Sequence, residues 1–157
     1  MPDTAVTKLS YWTDNGAYYF GKNLVRPDIT LPGLLDSLLN DSHVDVGLLQ
    51  LDGWWMQNPH LAANPKYFPD WEKFLNRLGH RGLLLYKSFF DEHDDLFNVS
   101  GCKVQSSKTG WWYPCAETAH QVYTHMFIEG KKLGMTAYET DFMVGWTMLW
   151  NVILYFS

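Results

Sequence analysis

Three acidic residues stand at the ends of short apolar runs, and their chemistry is that of sugars. Asp52 closes the run VDVGLLQL (Val44–Leu51) and is followed by Gly53-Trp54-Trp55, while Glu139 and Asp141 follow Gly134-Met135-Thr136-Ala137-Tyr138. A carboxylate can accept two sugar hydroxyls while an indole lies against the C–H face of the ring, which is a physical basis for sugar recognition. Two carboxyl groups flanking a glycosidic bond, one as nucleophile or base and the other as acid, cleave it. One residue separates Glu139 from Asp141, so on an extended strand both side chains face the same way. Two like charges that close raise the pKa of one of them, which suits acid chemistry. The competing roles are structural: Asp52 caps its loop while the tryptophans pack, and Glu139 and Asp141 form a solvated loop pair.

Other constellations carry less. His93 lies among Asp91, Glu92, Asp94 and Asp95, a charge run that reads as a solvated surface rather than a cation site. His120 and His125 are five apart and do not share a helix face as zinc-binding pairs do, and His43, His60 and His80 have no ligand spacing, so no metal is expected. Cys102 and Cys115 can pair across a short loop, or Cys115 can be a buried structural thiol; neither has a catalytic setting. There is no nucleophile elbow of the Gly-x-Ser-x-Gly type and no Gly-rich phosphate loop, so no serine hydrolase and no nucleotide cofactor is expected. The net charge of -5, with Lys131-Lys132 the sole adjacent basic pair, excludes a nucleic-acid partner.

The elements that must position these residues follow from periodicity. A helix is expected from Thr30, with Leu31, Leu34, Leu35, Leu38 and Leu39 at spacings of three and four. The strand from Val44 follows, then a loop with Asn58-Pro59 and Asn64-Pro65. Pro69-Asp70 opens a second helix through Trp71, Phe74, Leu75 and Leu78, which stops near Gly79. Gly82 to Tyr86 is continuous in apolar residues, as a parallel strand buried on both faces should be. Asp91 to Pro114 has no periodicity and reads as a long loop. A helix over Glu117 to Lys132 stops at Gly134, and Met135 to Tyr138 is a last short strand.

With the extended stretch Tyr11 to Phe20 in front, this order is four βα units, which implies parallel strands with outer helices, curled into an arc. The 157 residues suffice for one domain but fall short of the roughly 250 of a closed eight-stranded barrel. The expectation is a partial (β/α)8 barrel over residues 1–143 with an apolar tail over 144–157. That tail is shorter than the roughly 20 apolar residues of a membrane span and is interrupted by Gly145, Thr147 and Asn151. It reads as a buried element, a docking surface for a second chain beginning at Trp146, or a non-native tail. Asn98-Val99-Ser100 is a glycosylation sequon, no signal peptide is visible, and the compartment stays open.

Four segments in order, YWTDNGAYYF (Tyr11–Phe20), LLQLDGWW (Leu48–Trp55), FPDWEKFLNRLGHRGLLLYKSFF (Phe68–Phe90) and GMTAYETDFM (Gly134–Met143), resemble the glycoside hydrolase clan of α-galactosidases, raffinose synthases and related α-glycosidases. The resemblance implies a (β/α)8 barrel and retaining hydrolysis. It puts the nucleophile, an aspartate at the end of the fourth strand, at Asp141, and a ligand for sugar hydroxyls at Asp52. It further implies that Trp12 and Asp14, ending the first strand, and Lys87, just past the third, stand near the sugar; the residues' own chemistry adds Trp54, Trp55 and Glu139 as candidates on the substrate side.

Two positions depart from the pattern: Glu139 stands where members often carry a lysine, and Leu51-Asp52-Gly53 has one acid where they often have two. The family's general acid belongs near the sixth strand, so these residues alone are not expected to turn over substrate, and an open sheet edge invites self-association. The sequence thus points to the first half of a retaining glycosidase acting on α-linked sugars, with a carbohydrate as its partner. The alternative is a non-catalytic carbohydrate-binding module using Trp54, Trp55, Trp111 and Trp112.

Overall fold

The computed structural model describes residues 7–13, 25–107 and 109–140. Within them four parallel strands form one sheet: β1 (Leu9–Tyr11), β2 (Val46–Leu51), β3 (Gly82–Tyr86) and, far later in the chain, β6 (Met135–Glu139), in the order β1-β2-β3-β6. Leu49 pairs with Tyr11 on one side and Leu83 on the other, and Leu85 pairs with Tyr138. β2 is buried along its whole length and β3 over four of its five residues, in keeping with their unbroken apolar character. Gly82 is required by close approach: a Cβ there would collide with Thr136 Oγ1 of β6 and lie 3.1 Å from Leu48 Cδ1 of β2.

The first helix, α1 (Pro27–Ser42), starts three residues before the expected Thr30. Pro27 supplies a fixed φ at a position whose N–H would have no helical partner, and Asp28 complements the positive end of the helix. The helix ends on His43, left-handed at φ 56°, whose N–H bonds Leu39 O while that of Val44 bonds Leu38 O. This closure usually falls to glycine, and a histidine gives no stop signal in the sequence. The second helix, α2 (Trp71–Leu78), has the expected bounds: Asp70 accepts from Lys73 N at 2.9 Å, and Gly79 closes it at φ 65°.

Leu31 and Leu35 of α1 and Phe74 and Leu78 of α2 pack with Leu49, Leu51, Leu83 and Leu85 of the strands and with Trp55, forming the main core. The third helix, α3 (Ala119–Lys132), follows a short 3-10 turn at Ala116–Thr118, so its regular part begins two residues after the expected start.

The stretch expected to be a loop, Asp91 to Pro114, is structured. It holds a 3-10 turn at Asp95–Val99 and an antiparallel hairpin of β4 (Lys103–Gln105) and β5 (Trp112–Pro114). Leu96 and Phe97 pack with Phe90 and with Val122, Tyr123 and Met126 of α3 in a second core, and a Cys102–Cys115 disulfide closes the hairpin with a Cα–Cα separation of 5.5 Å. Strands of three residues are too short to show a period, and a covalent link replaces part of the apolar core that would have marked them. No helix among the described residues is long and apolar enough to cross a membrane. The tail over 144–157 lies outside the described residues.

Candidate functional site at the strand ends

Parallel strands bring their C-terminal ends to one edge, and there the apolar sheet becomes polar. Gln50, fully buried in β2, is the one amide in the run Val46–Leu51. Its Oε1 accepts from the backbone N of Thr13 at 2.8 Å and from Thr13 Oγ1 at 3.2 Å, and its Nε2 donates to Glu139 Oε2 at 2.7 Å. The Thr13 N–H can only donate, so the amide orientation follows from its partners. The ladder therefore runs from the end of β1 through β2 to the end of β6. Thr13 Oγ1 also accepts from the backbone N of Asp52 at 3.2 Å, which ties the acid-bearing turn to the first strand end.

Asp52 is half-buried at the start of the 3-10 turn Gly53–Trp55, and Glu139 is half-buried at the end of β6. Trp12, beyond β1, is 47% exposed. The structure thus brings Asp52, Glu139 and Trp12 to one edge. Asp14 and Asp141 lie outside the described residues.

The two tryptophans after Asp52 part company. Trp55 has no exposed surface; its ring is 5.9 Å from that of Trp71 and its Nε1 donates to Tyr86 O at 2.9 Å. Trp54 is half-buried, stacked 5.9 Å from Phe68 and edge-on to Tyr67 at 5.5 Å. Its Nε1 is buried with no hydrogen-bond partner among the described residues.

Lys87, directly after β3, is buried rather than presented to the edge. Its Nζ lies 2.6 Å from Asp94 Oδ2, with Met56 Sδ at 3.8 Å and the Phe90 ring at 5.0 Å. Burial pushes the Asp94 carboxyl above its ordinary pKa, against the pull of the Lys87 ammonium and of the Leu96 N–H that it caps. The backbone around Lys87 is held as firmly: its N donates to Glu139 O at 3.1 Å and its O accepts from Tyr138 Oη at 2.6 Å. Burial likewise raises the pKa of the Tyr138 hydroxyl, keeping it a donor.

Thr13, Gln50 and Asp94 join the site without any motif that marks them in the sequence. A lone glutamine in an apolar strand was the available signal for Gln50, because a buried amide must find partners. Asp94 was submerged in its charge run. No group of three or more His, Cys, Asp or Glu among the described residues could hold a metal ion. A cleft of about 130 Å³ between the start of α1 and α2 is lined by Arg26, Asp28, Lys73 and Arg77 and by no residue of the ladder. Compared with known proteins, the chain matches no protein-family model, and no curated protein is significantly similar to it.

Proposed function

We propose that these residues build one half of the substrate edge of a retaining glycosidase barrel acting on α-linked sugars. The observation that carries the reading is the ladder Thr13–Gln50–Glu139, with Asp52 bonded to it, in a sheet whose two central strands are otherwise apolar. Buried strand ends that turn polar at the C-terminal edge are where parallel barrels carry their sites. In this reading Asp141 is the nucleophile, Asp52 and Glu139 accept sugar hydroxyls, and Trp12 and Asp14 border the ring. Trp54 closes the floor beside Asp52. Lys87 acts at one remove, by fixing the backbone between Tyr86 and Glu139. The sheet order ends on β1 and β6 among the described residues, and further barrel strands, or those of a second chain, would pair there.

The binding-module alternative draws less support, since Trp55 has no exposed face and Trp111 lies with its ring 3.6 Å from that of Phe89. The test is turnover of nitrophenyl α-glycosides by the protein as its gene encodes it. Asp141→Asn is expected to lower kcat by about 10⁴-fold or more with sugar affinity retained, whereas Asp52→Asn weakens sugar affinity. Sugar binding with no turnover to lose would favour the binding module, and neither binding nor turnover would overturn both readings.

A further inference from the structure

The Cys102–Cys115 disulfide and the surface around it bear on a part of the chain that sugar chemistry at the strand ends does not use. Asn98-Val99-Ser100 ends the 3-10 turn Asp95–Val99, and the chain reaches Cys102 two residues later. Leu96 and Phe97 are buried against α3, which pins the turn, while Asn98 is exposed and Val99 is 42% exposed. A second sequon, Asn40-Asp41-Ser42, ends α1, and all three of its residues are exposed. The two asparagines therefore stand on the surface, where a bulky, solvated group costs no packing.

A disulfide in a chain of this kind implies an oxidising compartment, because cytosolic thiol pools keep such pairs reduced. Two independent features, a formed cystine and exposed sequons, thus point to one environment.

We infer that the chain folds in the secretory pathway and carries N-linked oligosaccharide on Asn98, with Asn40 as a second acceptor. The donor is a lipid-diphosphate-linked oligosaccharide. The carboxamide nitrogen of Asn98 attacks the sugar C1; the N–C1 bond forms, the C1–O bond to the diphosphate breaks, the nitrogen loses a proton to a base, and the lipid diphosphate leaves. The cystine forms by exchange with a disulfide oxidant, which takes two electrons and two protons from the Cys102 and Cys115 thiols and leaves as a dithiol. Transfer to asparagine takes place on the extended chain, so the burial of the Ser100 hydroxyl in the fold does not oppose it. What the fold must supply is room at the asparagine.

The test uses the protein purified from the cells that make it, treated with a peptide-N-glycosidase and mapped by mass spectrometry. The expected result is a fall in mass on treatment, aspartate in place of asparagine at 98 and at 40, and Cys102 and Cys115 thiols that react with an alkylating reagent only after reduction. Ser100→Ala is the cleanest variant, because its Oγ is buried with no hydrogen-bond partner among the described residues. It removes the sequon without removing a bond, and is expected to lose the glycan at Asn98 alone, while Ser100→Thr keeps it. An unchanged mass on treatment, or thiols reactive without reduction, overturns the inference. Occupancy at Asn40 without Asn98 overturns the assignment of Asn98.

Discussion

Gln50 and Glu139 are 89 residues apart in sequence and joined by a 2.7 Å hydrogen bond. The same amide accepts from Thr13, which is 1% exposed, so one buried side chain joins the segment just past the first strand to the end of the last strand described. Replacing Gln50 by leucine keeps the volume approximately and leaves the Thr13 N–H buried without that acceptor. The expected cost is about 1–3 kcal/mol. A fall in the urea midpoint at unchanged slope would report it; a neutral Gln50→Leu would show that the ladder does not hold the strand ends.

Lys87 and Asp94 make the opposite case, a buried charge pair in which the ammonium's other neighbours are a thioether and an aromatic ring. Asp94→Asn retains an oxygen for the Leu96 N–H but leaves the Lys87 ammonium buried against Met56 and Phe90 without its counter-charge. The single variant should lose about 3–5 kcal/mol. Adding Lys87→Met removes the stranded charge, and the double variant is expected to regain about 2 kcal/mol or more. Equal stability of single and double variants, measured by chemical denaturation, would mean that water reaches the lysine after all.

Much of this frame was legible from residues alone, for reasons that differ by element. β2 and β3 announce themselves because a parallel strand buried on both faces must be apolar throughout, and α2 because Asp70 and Gly79 are unambiguous boundaries. Asp52, Trp12 and Glu139 share an edge because parallel pairing alone aligns strand ends. The inner arrangement was not legible. Trp54 and Trp55 are neighbours with different fates, since the 3-10 turn sends one into the core and leaves the other half-buried. Lys87 follows a strand end, yet its fate depends on Asp94, a residue seven positions on in a run of charges that looks solvated. The hairpin at Lys103–Pro114 escaped because its coherence comes from a covalent bond rather than from a repeating pattern.

That bond gives a third expectation. Cys102 and Cys115 are thirteen positions apart, and a closed loop of this length restricts the unfolded chain by about 3 kcal/mol. Cys102→Ser with Cys115→Ser should lower stability by about that amount, and reduction of the wild-type protein should do the same. Reduced wild type and double variant are expected to share one urea midpoint. A midpoint that reduction leaves unmoved would show that the second core of Leu96, Phe97 and α3 suffices to hold the segment.

The start of α1 supplies the expected acid dependence. Arg26 reaches Asp28 with two contacts, Nε to Oδ1 at 2.9 Å and Nη2 to Oδ2 at 2.8 Å, and these hydrogen bonds hold the carboxyl below its ordinary pKa. With the folded value lower than the unfolded one of about 3.9, the carboxylate's contribution is complete above that pH and is lost as pH falls through the folded value. Arg26 is 56% exposed, so solvent screens the pair and its worth stays small. Asp28→Asn is therefore expected to cost about 0.5–1 kcal/mol at neutral pH, from the ion pair and the helix end together. The gap between wild type and variant should close as pH falls from about 4 through the folded value, below which both carry a neutral side chain. Denaturation midpoints across an acid series would follow it. A gap that persists unchanged at the acid end would assign the effect of Asp28 to packing against α2 rather than to its charge.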